Sequence, residues 1–322
     1  MRRDGLSLTV LLFTAPCALA LSGCDEPAAS SDAAIDDAAI GMDSGARDGA
    51  ASDTGAPDTG PRIEDAASDA GPIGSVGCVS GAGLPEGENT LTVQSMSRRF
   101  VLRLPAGYST DRAWPVVLAL HGNGGSPDYW DGTSGARNLR AVLEDHAILV
   151  IAHAIDGQWR DYGMDASTWP ARVESELAYF DDVLSAVRAE LCVDEDAIFA
   201  MGFSGGGSFS GVLGCRRTDI RAIAVGGSVI YFDEADCVGT PAAWITIGEG
   251  ELSSGRTAYR DFFRDRAGCA ASSTPTEPDP PCVTYDGCRA GTPVHYCEHP
   301  DGHVWPDFGS QAAWDFFGQF VD

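Results

Sequence analysis

Beyond about residue 77, short apolar segments alternate with longer segments that are predicted to be helical. Five of the apolar segments show no polar alternation, which is typical of parallel strands buried on both faces. These five segments lie at residues 115–120, 147–152, 197–201, 220–225 and 242–247. The predicted helices lie at residues 136–145, 172–191, 205–215, 256–266 and 311–320.

Further strands are predicted at both ends of this region. Residues 90–96 and 98–104 suggest an antiparallel hairpin, because the second segment alternates apolar and polar residues. A last strand is predicted at 293–298. Strands that alternate with helices are joined by right-handed crossovers. The pattern therefore predicts an α/β fold with a mostly parallel central sheet flanked by helices.

The N-terminus has the pattern of a secretory signal peptide. Arg2 and Arg3 precede an apolar segment at 6–21, which is too short to favour a permanent membrane span. The following sequence, Leu-Ser-Gly-Cys at 21–24, resembles the bacterial lipobox, in which the cysteine is lipidated. We therefore predict a lipoprotein signal peptide at residues 1–23 and lipidation of Cys24. Ordinary cleavage after Ala20 is the alternative, and both predict export.

Residues 24–76 are predicted to be a disordered linker. Alanine, aspartate, glycine, serine and proline dominate this segment. Between residues 25 and 75 there are twelve Asp and Glu residues and two arginines. Such a composition cannot bury enough apolar surface to offset the entropy of ordering. The remainder, residues 77–322, is long enough for one α/β domain with a large core.

The chain is strongly acidic, with a formal net charge of −26. All of its basic residues are arginines, and there is no lysine. A nucleic-acid partner would require a basic face, so we expect none. The acidity also disfavours anionic substrates.

Eight cysteines lie in the predicted domain, and an even number in an exported chain predicts up to four disulfides. They are Cys78, Cys192, Cys215, Cys237, Cys269, Cys282, Cys288 and Cys297. Their spacing leaves the pairing open. No C-x-x-C pair occurs among them, so we expect no metal site.

Ser204 is the candidate nucleophile. It stands at the centre of Gly-Phe-Ser-Gly-Gly at 202–206, between the predicted strand 197–201 and the predicted helix 205–215. A strand–turn–helix setting is what a G-x-S-x-G nucleophile elbow requires. The alternative is a glycine-rich corner with an inert serine.

A serine hydroxyl needs a base that accepts its proton, and the usual base is a histidine. Three histidines lie well downstream of Ser204 in the sequence. His303 lies in a loop after the last predicted strand and is the candidate base. His295 lies inside that strand and is expected to be structural, whereas His299 remains a second candidate.

The triad acid is expected after the strand at 242–247, between the serine and the histidine in chain order. Two glutamates follow this strand, Glu249 and Glu251. Position alone does not distinguish between them.

A second glycine-rich loop supplies candidate oxyanion donors. Residues 121–125, His-Gly-Asn-Gly-Gly, follow a buried strand as HGGG-type esterase loops do. The expected donors are the backbone amides of Asn123 and Gly205. His121 is expected to pack the loop without a catalytic role.

Tryptophans mark a candidate substrate-binding surface. Residues 155–170 are rich in aromatic side chains and follow a predicted strand, which is where such folds bind ligands. Trp159 and Trp305 are predicted to flank an acyl group or a sugar. The alternative is that they cover the core.

From about residue 77 onward, the chain is similar to the secreted α/β-hydrolase esterases that include polyhydroxybutyrate depolymerases and feruloyl or acetylxylan esterases. The resemblance is carried by four motifs in order: LALHGNGGS at 118–126, LCVDEDAIFAMGFSGGG at 191–207, AGC at 267–269 and GHVWP at 302–306.

The resemblance implies the α/β-hydrolase fold, with Ser204 as nucleophile and His303 as base. It places the acid at Glu251, where members usually have aspartate in a G-T-x-D element. Members of the group also carry cysteines similar to Cys192, Cys269 and Cys288, which implies that these form disulfides.

The predicted activity is hydrolysis of a carboxylic ester through an acyl-serine intermediate, without metal or cofactor. The expected substrates are feruloyl or acetyl esters on polysaccharide, or hydroxyalkanoate oligomers. The alternatives are a peptidase of the same fold and a non-catalytic surface binding lipoprotein. We expect a monomer that contacts the membrane only through its lipid anchor, or a secreted protein if Cys24 is not lipidated.

Overall fold

The computed structural model describes residues 74–160 and 166–321. The predicted signal peptide, the lipidation site at Cys24 and the linker up to residue 73 lie outside the described residues. At the start of the described chain, Ser75 is already packed on the domain, because its Oγ donates to the Leu191 carbonyl at 2.7 Å and accepts from the Val193 amide at 3.0 Å. Contacts with the domain thus begin before residue 77.

A single sheet of ten strands forms the centre of the described chain. The strands are β1 Gly87–Val93, β2 Met96–Arg103, β3 Trp114–Leu120, β4 Ile148–Ala152, β5 Val193–Phe203, β6 Ala222–Gly226, β7 Ala242–Gly248, β8 Ser273–Pro275, β9 Cys282–Tyr285 and β10 Val294–His299. Their order across the sheet is β1-β2-β4-β3-β5-β6-β7-β10-β9-β8. The six strands from β4 to β10 run parallel, and the pairs at both edges are antiparallel. Every strand predicted from the sequence is present, and the parallel centre is confirmed.

Six α-helices accompany the sheet in the described part of the chain. They are α1 Gly77–Ser80, α2 Leu139–Val142, α3 Trp169–Glu190, α4 Gly205–Arg216, α5 Ser254–Arg266 and α6 Gly309–Phe317. The helix predicted at 136–145 is only one turn long, because residues 143–146 form a turn that leads into β4. Among the described residues, no helix is both long enough and apolar enough to span a membrane.

The core lies in two layers, one on each face of the sheet. Alternate residues of β3 face opposite layers, so that Val116 and Leu118 join one cluster and Val117 joins the other. The first cluster includes Phe180 of α3 as well as side chains of α4 and α5, and the second includes Phe317 of α6. Burial on both faces explains why these strands show no polar alternation.

Strands β8 and β9 were not predicted from the sequence. Both are short, with three and four residues, and β8 is exposed along its whole length. Cys282 of β9 is paired in register with Cys297 of β10, and the two form a disulfide. Pairing with β10, not local sequence, therefore defines this edge of the sheet.

Four disulfides are present, as predicted, and the structure supplies the pairing that the spacing left open. The pairs are Cys78–Cys192, Cys215–Cys237, Cys269–Cys288 and Cys282–Cys297. Four disulfides in one domain fit a protein from an oxidising, extracellular environment.

Candidate active site

Ser204 occupies a strained turn between β5 and α4. Its backbone has φ 57° and ψ −122°, a conformation that few residues other than glycine adopt. A bond from the Ser204 amide to the Gly226 carbonyl, at 2.7 Å, holds the turn against β6. A Cβ on Gly206 would lie only 2.1 Å from the Leu120 carbonyl oxygen, so the first turn of α4 can pass β3 only without a side chain there. This is the geometry of a nucleophile elbow.

His303 extends from the loop after β10 and meets the serine hydroxyl. Its Nε2 lies 2.9 Å from Oγ of Ser204. The imidazole also packs on the Phe203 ring, with 4.6 Å between the ring centroids. The imidazole also passes close to Gly227, where an added Cβ would lie 2.7 Å from Cε1 of His303. The backbone at Gly227, with φ +59°, thus leaves the space that the imidazole fills.

Glu251 contacts the opposite nitrogen of the same imidazole. Its Oε2 accepts a hydrogen bond from Nδ1 of His303, and its Oε1 accepts from the Gly248 amide at 3.3 Å. Burial raises the pKa of the Glu251 carboxyl, but the bonds from His303 and Gly248 and nearby positive charge outweigh it, so the pKa is lowered. The carboxyl is therefore held as the anion that an imidazolium would need beside it.

Of the two glutamates left open by the sequence, the structure brings Glu251 to the histidine. Both lie on one 3₁₀ turn, Glu249–Glu251, and residues two apart on such a turn face different directions. The side chain of Glu251 is 6% exposed, whereas Glu249 is exposed. Among the described residues, no hydrogen bond joins Glu249 to His303.

The loop after β3 lies against the turn at Ser204. A Cβ on Gly122 would lie 3.6 Å from Cβ of Ser204, and a Cβ on Gly205 would overlap the Asn123 side chain. Within the described chain, no hydrogen bond uses the backbone amide of Asn123 or of Gly205. Both amides therefore remain available to an oxygen bound beside Ser204.

An open cleft of about 450 Å³ lies over the serine, lined by Asn123, Gly124, Gln158 and Ser204. The segment that contributes Gln158 is fixed to the loop after β3, because the Gly124 amide donates to the Gly157 carbonyl at 2.8 Å. Sequence reasoning missed Gln158, since a lone glutamine in an aromatic segment carries no signal. It shares the cleft with Ser204 and is a candidate contact for substrate.

The substrate-binding roles predicted for the two tryptophans are wrong. Trp159 is 0% exposed, and its Nε1 donates to the His121 carbonyl at 2.6 Å. Trp305 is 4% exposed and packs edge-on against Trp130, with 5.1 Å between their ring centroids. Both side chains belong to the core, so the alternative reading is the correct one.

Of the other histidines singled out from the sequence, His121 and His299 are buried and His295 is partly buried. Burial lowers the pKa of His121 to about 4, and its Nδ1 lies 2.7 Å from the Gly122 carbonyl oxygen, consistent with a packing role in the loop. Burial likewise lowers the pKa of His295 to about 4, and its ring contacts Phe316. His299 is buried, with Nδ1 3.7 Å from the Asp301 carboxylate. None of the three shares a hydrogen bond with Ser204 in the described chain.

Known relatives are esterases. The chain is 26% identical over 249 residues to feruloyl esterase B of Piromyces equi, covering 69% of this chain and 45% of that protein. It is 28% identical over 250 residues to a protein described as a probable feruloyl esterase C of Aspergillus terreus, covering 71% and 87%. It is 26% identical over 276 residues to feruloyl esterase D of Neurospora crassa, covering 76% and 90%. No family model matches the chain.

Solved structures give the fold. A ferulic acid esterase superposes with a TM-score of 0.51 at 15% identity, covering 73% of this chain and 98% of that one. An S-formylglutathione hydrolase from Agrobacterium tumefaciens also superposes with a TM-score of 0.51, at 10% identity, covering 73% and 95%. The chain has the α/β-hydrolase fold, and the resemblance to the feruloyl esterase group is confirmed.

Proposed function

We propose that this α/β-hydrolase, a carboxylic ester hydrolase, cleaves feruloyl esters through an acyl-enzyme on Ser204. One observation carries the proposal. Ser204, His303 and Glu251 form an unbroken hydrogen-bonded series at a strained turn, and this series opens onto a cleft. A nucleophile, a base and an orienting carboxylate are the three groups that acyl transfer needs.

In the acylation step, Oγ of Ser204 attacks the ester carbonyl while Nε2 of His303 takes its proton. The arrangement requires the resting proton on Nδ1, where it is donated to Glu251. The developing oxyanion is bound by the amides of Asn123 and Gly205. Collapse of the tetrahedral intermediate breaks the bond to the alcohol, which leaves with the proton from His303.

Deacylation repeats these steps with water as the nucleophile. His303 takes a proton from water as the water oxygen attacks the acyl carbon, and the bond to Oγ of Ser204 then breaks. His303 returns the proton to Oγ, and the carboxylic acid is released.

The choice of feruloyl esters follows from the relatives, all three of which are named as feruloyl esterases. A cleft of about 450 Å³ lies within the usual range for small-molecule sites. Acetyl esters on polysaccharide and hydroxyalkanoate oligomers use the same chemistry and remain alternative substrates for the same site.

Methyl ferulate hydrolysis by wild type and Ser204→Ala tests the proposal. We expect a loss of about 10³-fold or more in kcat for the variant, because the remaining groups cannot form the acyl-enzyme. Thermal unfolding should be nearly unchanged, since one hydroxyl is removed. A folded variant that kept a tenth of the activity would require another nucleophile. Cleavage of a peptide substrate but no ester would favour the peptidase reading.

We further propose that the chain is exported and anchored to the cell envelope through a lipid on Cys24. The lipobox-like residues 21–24 support the anchor, and the four disulfides support export.

A further inference from the structure

Arg256, in the first turn of α5, contacts both Glu251 and His303 of the proposed triad. Its Nη2 lies 2.9 Å from Oε2 of Glu251 and 3.3 Å from Nδ1 of His303. Its side chain is 22% exposed, so the contact lies at the edge of the site and not in the core. No motif in the sequence singles out this arginine.

We propose that Arg256 is a positioning residue that fixes the Glu251 carboxylate against His303. This inference rests on the proposed function, because it assigns Arg256 a task within the Ser204–His303–Glu251 series.

A glutamate needs such a partner because its side chain has three rotatable bonds. The Gly248 amide holds Oε1 of Glu251 at 3.3 Å, a long bond that alone constrains little. Arg256 adds a charge-assisted bond on Oε2, the oxygen that also accepts from His303. With a donor on each oxygen, the carboxylate plane is fixed in the orientation that meets Nδ1.

Arg256 also lies beside the imidazole. Among the described residues, the charged groups that contact the His303 ring are the Glu251 carboxylate from the 3₁₀ turn and the Arg256 guanidinium from α5. The contacts of the ring with Ser204 and Phe203 are uncharged. Arg256 is thus a cation placed to hold the Glu251 carboxylate in line with Nδ1 of His303.

Helix stability does not explain an arginine at this position. Arg256 is the third residue of α5, and a cation in the first turn opposes the helix dipole. Its Nε is buried without a hydrogen-bond partner among the described residues. Burying an unpaired donor is unfavourable, so both features lower the stability of the folded protein. The contacts of Arg256 with Glu251 and His303 therefore explain its position better than helix stability does.

The test compares Arg256→Met, Arg256→Lys and the control Arg260→Met in steady-state hydrolysis of methyl ferulate at neutral pH. Arg260 lies one turn along α5, has a similarly exposed side chain and pairs with Asp261, away from the triad. For Arg256→Met we expect kcat to fall roughly 10-fold with little change in KM, because the carboxylate loses its orientation. Arg256→Lys keeps a charged donor at this position, so kcat should recover in part.

The results separate this inference from the function on which it rests. A change in KM in place of a loss of kcat, a lysine variant no more active than Arg256→Met, or equal effects in Arg260→Met would overturn the positioning role while leaving the esterase intact. Ester hydrolysis that is absent from wild type, or retained in Ser204→Ala, would instead overturn the proposed function. Should Arg256→Met fail to fold, the comparison of Arg256→Lys with wild type decides: a lysine variant whose KM changes while kcat stays at the wild-type value contradicts the positioning role.

Discussion

Replacing Glu251 with glutamine removes one negative charge from the site and keeps the size of the side chain. In the structure, Oε2 of Glu251 accepts from His303 and, at 2.9 Å, from Arg256, while Oε1 accepts from the Gly248 amide at 3.3 Å. A glutamine has only one acceptor oxygen. Its NH₂ group must therefore face a donor in either orientation of the amide.

The orientation that the glutamine amide prefers determines how far kcat falls in Glu251→Gln. The two donors on the Oε2 side outweigh the single long bond from Gly248, so the amide oxygen should face His303. The imidazole then keeps its tautomer but loses the anion that stabilises its protonated form during catalysis. We expect kcat to fall by about 10³-fold, which is about 4 kcal/mol in the barrier. A reversed amide would place the proton on Nε2 and increase the loss further.

The assay is steady-state hydrolysis of methyl ferulate at neutral pH, with Glu249→Gln as the matched control. Glu249 lies on the same 3₁₀ turn and is exposed, so its variant should keep kcat within about twofold of wild type. A Glu251→Gln variant that retained more than a tenth of wild-type kcat would refute the assignment of the acid. A reversed ranking of the two variants would move the acid to Glu249.

The same substitution has a pH-dependent effect on stability. Since the pKa of Glu251 is lowered in the folded protein, its carboxylate stabilises the fold above the ordinary carboxyl pKa. That contribution is lost as the pH falls through the lowered value. The difference in Tm between wild type and Glu251→Gln should therefore shrink under acid conditions, and a difference that grew with acidity would contradict the sign.

Two further predictions concern stability and export. Glu176 is 0% exposed and pairs with Arg98 at 2.6 Å, so Glu176→Gln should lower the free energy of unfolding in urea by about 3 kcal/mol, because a buried guanidinium loses its counter-charge. The exposed pair of Glu174 with Arg216 is the control, and equal losses in Glu174→Gln would contradict this reasoning. Wild type expressed in a bacterium should partition into detergent with a lipid mass on Cys24, and Cys24→Ser should not; unmodified wild type cleaved after residue 20 would end the anchor proposal.

The parallel sheet and the nucleophile turn could be predicted because both depend on local sequence. Strands buried on both faces need apolar residues without polar alternation, and β3, β4, β6, β7 and residues 197–203 of β5 have them. The turn at Ser204 needs small residues where α4 passes β3 and β5, and glycines at 202 and 206 meet that need. In both cases the physical requirement falls on neighbouring residues, so a single sequence displays it.

The tryptophans show where local sequence fails. An aromatic residue after a strand can face a ligand or close the core, and its own chemistry suits both. The outcome for Trp159 depends on Phe180 and Phe209, two rings from α3 and α4 that stack near it at 5.8 and 5.4 Å between centroids. Those rings come from distant positions in the chain, so the choice between the two roles follows from packing that no local pattern contains.

The proposed triad acid depends both on local sequence and on contacts with distant parts of the chain. Sequence position narrows it to two glutamates on one turn, since the acid must follow a strand between the serine and the histidine. The choice between them depends on the direction in which a 3₁₀ turn points each side chain and on where the loop after β10 places His303. It also depends on a cation from α5, because Arg256 reaches Oε2 of Glu251 from the next element of the chain. Orientation by an arginine compensates for the extra freedom of a glutamate. It follows that shortening the acid in Glu251→Asp should separate the carboxylate from one of its two partners, Arg256 or His303, and not preserve both.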